Sequence, residues 1–232
     1  MIDKDAAIIE RMFSDIAPRY DLLNRLLSMG IDRRWRAAAI QKLAPRAGGV
    51  YLDVATGTGD VALEIFRQNP QAKVVGVDFA HPMLLMGLPK VKGTTIRLGR
   101  GDALNLSFRD AAFDGATCAY GIRNFAALHN GLREINRVLK PGASIAMLEF
   151  TTPSNPLARW LYLFYFTKLL PFVGRLVSGH PEAYTYLPRS VMDFPGGARL
   201  KEIFEECGFV DVTVAPLTFG ISGLITGRKP ER

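Results

Sequence analysis

Residues Leu52 to Asp60 read LDVATGTGD, a short stretch that brings together a carboxylate (Asp53), two glycines (Gly57, Gly59) and a hydroxyl (Thr58). With Ala62 three positions after Gly59, it satisfies the G-x-G-x-x-G/A rule for a turn against which an adenosine cofactor can lie. Further along, Asp78 follows at about the 20-residue spacing that suits a carboxylate accepting the ribose hydroxyls. A nicotinamide dinucleotide and S-adenosylmethionine both carry that ribose, so the glycines and Asp78 leave both open. Asp53 separates them. A pyrophosphate wants backbone N–H groups and a helix N-terminus, and a carboxylate just before the loop repels it. An ammonium and a sulfonium are instead attracted. The pair Asp102-Ala103 adds a second acid where an adenine amino group can be held. These acids favour the cationic cofactor, and therefore methyl transfer, over hydride transfer.

Alternating elements must place those residues. VYLDVA, KVVGVD, TIRLGRGDA, FDGATCAYG and SIAMLEF read as strands; DVALEIFRQNP, a segment from Pro82 and ALHNGLREINRVL read as the helices between them. Apolar strands alternating with helices imply a parallel sheet covered on both faces. VDVTVAPLTF and ISGLITGRK follow the helix LKEIFEECGF, and with so short a connection are most easily an antiparallel pair at the sheet's end. The expected fold is a doubly wound, mostly parallel seven-stranded α/β sheet with an antiparallel last strand. It forms a single domain over residues 1–232. Its expected parts are an N-terminal helical cap (1–47), a cofactor-binding core (48–150), a lid insertion (151–195), and a final helix with the strand pair (196–232). The four strand ends then converge: Asp53 and the glycines, Asp78, Asp102-Ala103, and Tyr120-Gly121-Ile122-Arg123-Asn124.

With 48% hydrophobic and 22% charged residues, the 232-residue chain has ample material for a core. Its start has early acids and no apolar run of signal length, which points to a cytosolic protein. The longest apolar stretch, Pro156 to Ser178, is interrupted by Arg159, Lys168, Pro171 and Arg175 and does not read as a membrane span. Cys118 and Cys207 read as small buried hydrophobes, and His81, His129 and His180 are scattered, so no metal site is expected. A net charge of +7 favours an anionic partner. The one compact basic run, DRRWRAA from Asp32, reads as a solvated helix face, and without a basic-aromatic stripe no nucleic-acid partner is expected.

The stretches YDLLNRLLSMGIDRRW, LDVATGTGD, GVDFAHPML, GDALNLSF, YGIRNF and RVLKPGASIAMLEFTTP together resemble the ubiquinone/menaquinone biosynthesis C-methyltransferase family over essentially the whole chain. The glycine loop is shared by all class I methyltransferases; the first stretch and GIRN are the specific part. Asp32 stands where many members have His, Ala143 where they have a second Gly, and Thr151 where they have Ser. The resemblance implies a class I, Rossmann-like methyltransferase with S-adenosylmethionine as cofactor. It also implies that Thr58, Asp78 and Asp102-Ala103 fall on cofactor-contact positions. The implied substrate is a polyprenylated hydroquinone, either demethylmenaquinol or a methoxy-benzoquinol precursor of ubiquinone, methylated at a ring carbon.

On that reading the catalytic residues are Arg123, stabilising a phenolate directly or through a water, and Asn124, orienting the ring oxygen or the loop. Tyr120, Trp160 and Tyr184 are the expected substrate contacts, with His180, Tyr184 and Tyr186 as lid candidates for proton transfer. The aromatic lid either wraps the ring and its tail, or packs on the sheet, or meets a second copy in a homodimer. Its interspersed Arg159, Lys168 and Arg175 suit transient contact with a membrane surface at the inner face. The competing readings are a methyltransferase of another small molecule or of RNA, a nicotinamide oxidoreductase, and a non-catalytic binding protein on the same fold.

Overall fold

The computed structural model describes residues 6–17, 20–28, 30–169 and 181–231. Strand β1 (Val50–Val54) shows why the chain layers as it does. Leu52 and Val54 point to one face of the sheet and Tyr51 to the other, and all three are buried. β5 (Leu139–Phe150) repeats the pattern, with Ile145 and Met147 on the first face and Ala146 and Leu148 on the second. Such two-sided burial needs helices on both sides. On one side lie α6 (Leu128–Val138) and α9 (Gly197–Glu206), through Leu132, Ile135, Leu200 and Phe204. On the other lie α3 (Asp32–Leu43) and α4 (Asp60–Gln68), through Trp35, Ile40, Val61 and Ile65. Fully burying each of these large side chains contributes about 1.5–3 kcal/mol.

Strands β2 (Lys73–Asp78), β3 (Ile96–Arg100), β4 (Phe113–Ala119), β6 (Val210–Leu217) and β7 (Ser222–Arg228) complete a seven-stranded sheet of order β3-β2-β1-β4-β5-β7-β6. β7 is antiparallel to both β5 and β6, as the short 218–221 connection requires. Between α6 and the main run of β5, Lys140-Pro141-Gly142 forms a bulge. β5 begins at Leu139 opposite Phe113, pairing resumes with Ser144 opposite Gly115, and the intervening residues bulge out through Gly142 at φ +75°.

The order reverses at β1, whose neighbours are β2 on one side and β4 on the other. Ligands of doubly wound sheets bind at the carboxyl ends of strands flanking that reversal. Over it fold α1 (Ala6–Ile16) and α2 (Tyr20–Leu27), with Phe13 and Tyr20 packed on Ala80 and Met83 of α5 (His81–Gly87) and its entrance. Two further elements close the side beyond β5. They are α7 (Pro156–Phe164) with its wide π-helical continuation Tyr165–Leu169, and α8 (Pro181–Met192). Among the described residues, no helix is long and apolar enough to cross a membrane.

Candidate active site

The glycine loop turns as the sequence predicts: Gly57 has φ +57° and Gly59 φ +81°, a left-handed conformation that a side chain strains. Gly59 is the residue from which α4 departs. Opposite, Ala55 and Tyr120 also have positive φ, +53° and +59°, at the ends of β1 and β4. Non-glycine residues so held mark places where the fold over-determines the backbone, and such places concentrate at binding sites. The two strand ends touch tightly. A Cβ on Gly121 would come 2.6 Å from Ala55 Cβ, so no side chain is accommodated there.

A cavity of about 140 Å³ opens on these ends, lined by Ala55, Gly57, Asp78, Asp102, Ala103, Tyr120, Gly121 and Asn124, with Glu10, Phe13 and Tyr20 above. Asp78 is held from both sides: Gly57 N–H donates to Oδ2 at 2.7 Å and Ala80 N–H to Oδ1 at 2.9 Å. Burial raises its pKa from the ordinary value, against the backbone N–H donors that lower it. The carboxylate keeps lone-pair capacity for a ribose hydroxyl. Asp102 is exposed at the rim and accepts from Leu104 N–H at 2.8 Å. These residues suit the ribose and adenine of S-adenosylmethionine.

Three of the expected cofactor residues lie behind the cavity wall. Asp53 is fully buried. Its Oδ2 accepts from Thr56 Oγ1 (2.6 Å) and Ala62 N–H (3.2 Å), while Oδ1 has no partner among the described residues. Burial pushes its pKa up to about 7. Thr58, also buried, donates to Asp21 Oδ1 at 2.6 Å, and Gly59 shapes the turn. Asp60 does more than complement a helix dipole: it takes ion pairs from Lys90 and from Arg36 (3.2 Å). Arg36 also holds Asp32 at 2.5 Å, and Lys90 reaches Asp21 at 2.9 Å. The run from Asp32 is therefore only half a solvated face. Asp32 and Trp35 are buried, and Arg33 and Arg34 are exposed.

Tyr20, Phe13 and Tyr120 also line a second, larger cavity of about 360 Å³. Its wall is mostly apolar, with Met12, Ile16, Trp35, Phe150, Leu161, Phe166 and Ile221; its polar groups include Asp32, Arg36, Arg123, Tyr162 and Tyr186. Arg123 and Asn124 sit in a short 3-10 turn after β4 and belong to opposite sides of the junction. Arg123 is buried. Its Nη1 donates to Glu149 Oε1 at 2.6 Å and to the Tyr120 carbonyl, and its guanidinium lies 5.5 Å from the Phe150 ring centre. Burial alone would lower its pKa, but the charge and hydrogen bond of Glu149 overcome this and raise it. Asn124 Oδ1 accepts from Tyr186 Oη at 3.0 Å.

The lid residues divide differently from expectation. Trp160 is 63% exposed and stacks on Phe164, facing away from the cavity; Leu161 and Tyr162 of the same helix line it instead. Tyr120 stays at the junction, its ring 4.4 Å from that of Phe150 and its hydroxyl 3.3 Å from Ser222 Oγ. The Tyr184 and Lys168 side chains, together with His180 and Arg175, lie outside the described residues. Glu149, Tyr162 and Asp21 were not anticipated. A signal existed for Glu149, a lone charge inside the apolar strand SIAMLEF, because a buried carboxylate requires a cationic partner. Cys118 and Cys207 are buried free thiols, and the described residues contain no cluster suited to a metal ion.

Solved structures share this architecture. A SAM-dependent methyltransferase from Thermotoga maritima superposes with TM-score 0.68 at 18% identity, over 94% of this chain and 98% of that one. One from Aquifex aeolicus gives 0.61 at 16% identity, over 83% and 88%. Sequence relatives are far nearer. A demethylmenaquinone methyltransferase of Deinococcus radiodurans is 48% identical, covering 98% of this chain and 94% of its own. A ubiquinone/menaquinone biosynthesis C-methyltransferase UbiE of Geobacter sulfurreducens is also 48% identical, covering 95% and 88%. Residues 1–229 match the ubiE/COQ5 methyltransferase family, and the chain belongs to that family of S-adenosylmethionine-dependent enzymes.

Proposed function

We propose that the enzyme methylates a ring carbon of a polyprenylated hydroquinone, converting demethylmenaquinol to menaquinol, with a 2-polyprenyl-6-methoxy-1,4-benzoquinol as the alternative acceptor. The carrying observation is a large, mostly apolar cavity that shares Tyr20 and Tyr120 with the cavity holding Asp78 and Asp102. A flat ring and the first isoprene units are matched by aromatic walls. The names of the relatives agree with this substrate class.

When bound, S-adenosylmethionine supplies an electrophilic methyl group. The protein's part is to hold the acceptor carbon in line and make it electron-rich, and alignment of this kind accounts for most of the rate gain in such sites. The ring hydroxyl gives up its proton and the ring carbon takes the methyl. The hydrogen on that carbon then leaves as a proton while the ring oxygen takes one back, so that one proton is released overall. Arg123 serves as an oriented donor to the ring oxygen. Because Glu149 neutralises it, the pair delivers a directed N–H more than a net positive charge, and Arg123 Nε has no partner among the described residues. Asn124, fixed by Tyr186, orients the loop beside it.

The substrate tail is expected to enter from a membrane surface. Exposed Leu161 and Phe219 line the larger cavity, the latter at 84% exposure, and exposed Leu157, Trp160 and Phe164 lie on the same helix as Leu161. A chain of net charge +7 is drawn to anionic lipid. The test of function is a transfer assay with labelled S-adenosylmethionine and the two reduced quinols in parallel. Label on the ring carbon of either supports the proposal and assigns the branch. No transfer to either, with cofactor still binding, discards the quinol. Co-sedimentation with anionic vesicles tests the surface, and a stable dimer without vesicle binding would assign that face to a second copy.

A further inference from the structure

The larger cavity carries a buried donor with nothing to donate to. Tyr162 in α7 lines it and is 5% exposed, and its hydroxyl has no hydrogen-bond partner among the described residues. Its neighbours on that wall are already engaged. The hydroxyl of Tyr186 goes to Asn124, that of Tyr120 meets Ser222, and that of Tyr20 is hydrogen-bonded with Asn24. A phenol left unpaired in an apolar wall is costly, and such exceptions in a native fold call for an explanation.

The position of Tyr162 supplies one. Its ring lies 4.4 Å from that of Phe166, which meets Phe150 edge-on at 5.8 Å, and Phe150 carries the Arg123 guanidinium at 5.5 Å. Tyr162 and Arg123 thus belong to one continuous wall, and Arg123 Nε is a second buried donor without a partner there. Burial is the main influence holding the Tyr162 phenol protonated, and Arg123 opposes it only in part. The group is therefore a donor, not a base.

We propose that Tyr162 Oη donates a hydrogen bond to a ring oxygen of the acceptor, so that Tyr162 and Arg123 together recognise an aromatic ring bearing two oxygens. The proposal rests on the quinol reading above. It makes Tyr162 a specificity-determining residue, because a site built around an unsatisfied donor rejects a ring lacking the matching acceptor.

The experiment compares wild type and Tyr162→Phe in methyl transfer to a short-tailed demethylmenaquinol and to the two monohydroxy rings that each lack one of its oxygens. Binding of S-adenosylmethionine and thermal stability are measured in parallel. Tyr162→Phe is expected to melt at the same or a higher temperature and to bind cofactor within twofold of wild type. Its KM for the quinol should rise about 10-fold, with kcat within threefold, as loss of one hydrogen bond predicts. The wild-type preference for the quinol over one of the two monohydroxy rings should fall to near parity. An unchanged KM and an intact preference, in a wild type that methylates the quinol, would overturn the role of Tyr162 alone. A wild type that methylates no quinol would overturn the substrate reading, and this inference with it.

Discussion

Asp21 of the N-terminal cap accepts from Thr58 of the glycine loop at 2.6 Å and from Lys90 at 2.9 Å. One carboxylate therefore ties the helices that roof both cavities to the turn beneath the cofactor. Lys90 also holds Asp60, which holds Arg36, which holds Asp32, so the tie runs from α2 through α4 to α3. Tyr20, adjacent to Asp21, stands between the cavities. The cap and the glycine loop are accordingly joined through this one carboxylate.

The first prediction concerns this tie. Lys90 and Asp21 are 27% and 35% exposed, so their pair contributes at most about 1 kcal/mol. Asp21→Ala is expected to weaken S-adenosylmethionine binding about fivefold and to speed proteolysis within residues 6–28. Raising salt should weaken wild type toward the variant. Calorimetric titration and limited proteolysis check both, and cofactor affinity unchanged in Asp21→Ala would separate cap from loop.

Glu149 and Arg123 behave differently because neither sees solvent: their side chains are 0% and 6% exposed. Removing one member of such a pair leaves a buried charge and costs about 3–5 kcal/mol. Glu149→Gln should therefore lose that much unfolding free energy, read as a lower denaturant midpoint. The double variant Glu149→Leu/Arg123→Met should recover much of the stability while remaining inactive. Recovery of stability together with methyl transfer would relieve Arg123 of its catalytic assignment.

How far the sequence alone reaches depends on the range over which each signal acts. Asp53, Gly57, Gly59, Asp78 and Asp102 lie next to strand ends that periodicity locates, so their placement at those ends was readable, whereas the burial of Asp53 and Gly59 behind the cavity wall was not. The antiparallel 210–228 pair followed from loop length. The face of α7 was not readable, because WLYLFYF is apolar all round and an apolar helix has no stripe to tell Trp160 from Tyr162. The pairs Asp21–Lys90, Arg123–Glu149 and Asn124–Tyr186 join residues 69, 26 and 62 apart in the chain. Many carboxylates and amides stood at comparable separations, and only the folded backbone selects among them.

The pKa of Asp53 gives a pH dependence with a definite sign. Burial raises it from 3.8 to about 7, so between those values the folded chain holds a proton that the unfolded chain has lost. Its contribution to stability is fully present below pH 3.8 and is lost as pH rises through about 7. A cationic cofactor nearby favours the carboxylate, so binding at pH 6 should release a proton and affinity should rise with pH up to about 7. Titration at pH 6 in buffers of different ionisation enthalpy measures the proton. Asp53→Asn should abolish both the release and the slope, and a release that survives the substitution would belong to another group.

Phe219 turns between β6 and β7 at φ +58°, in the left-handed region, with 84% of its surface in solvent. A bulky side chain there is strained by about 1–2 kcal/mol and gains almost no packing in return. Asn tolerates the same backbone without adding freedom to the unfolded chain. Phe219→Asn is therefore expected to raise the melting temperature by a few degrees, since about 1 kcal/mol corresponds to roughly 2–4 °C for a chain of this size. The strain has a use if the ring enters lipid at the cavity's edge, and the same substitution should then lower binding to anionic vesicles several-fold. The corresponding change at exposed Leu22, Leu22→Asn, should leave vesicle binding intact. A Phe219→Asn protein that is more stable yet binds vesicles as wild type does would remove the turn from the membrane contact.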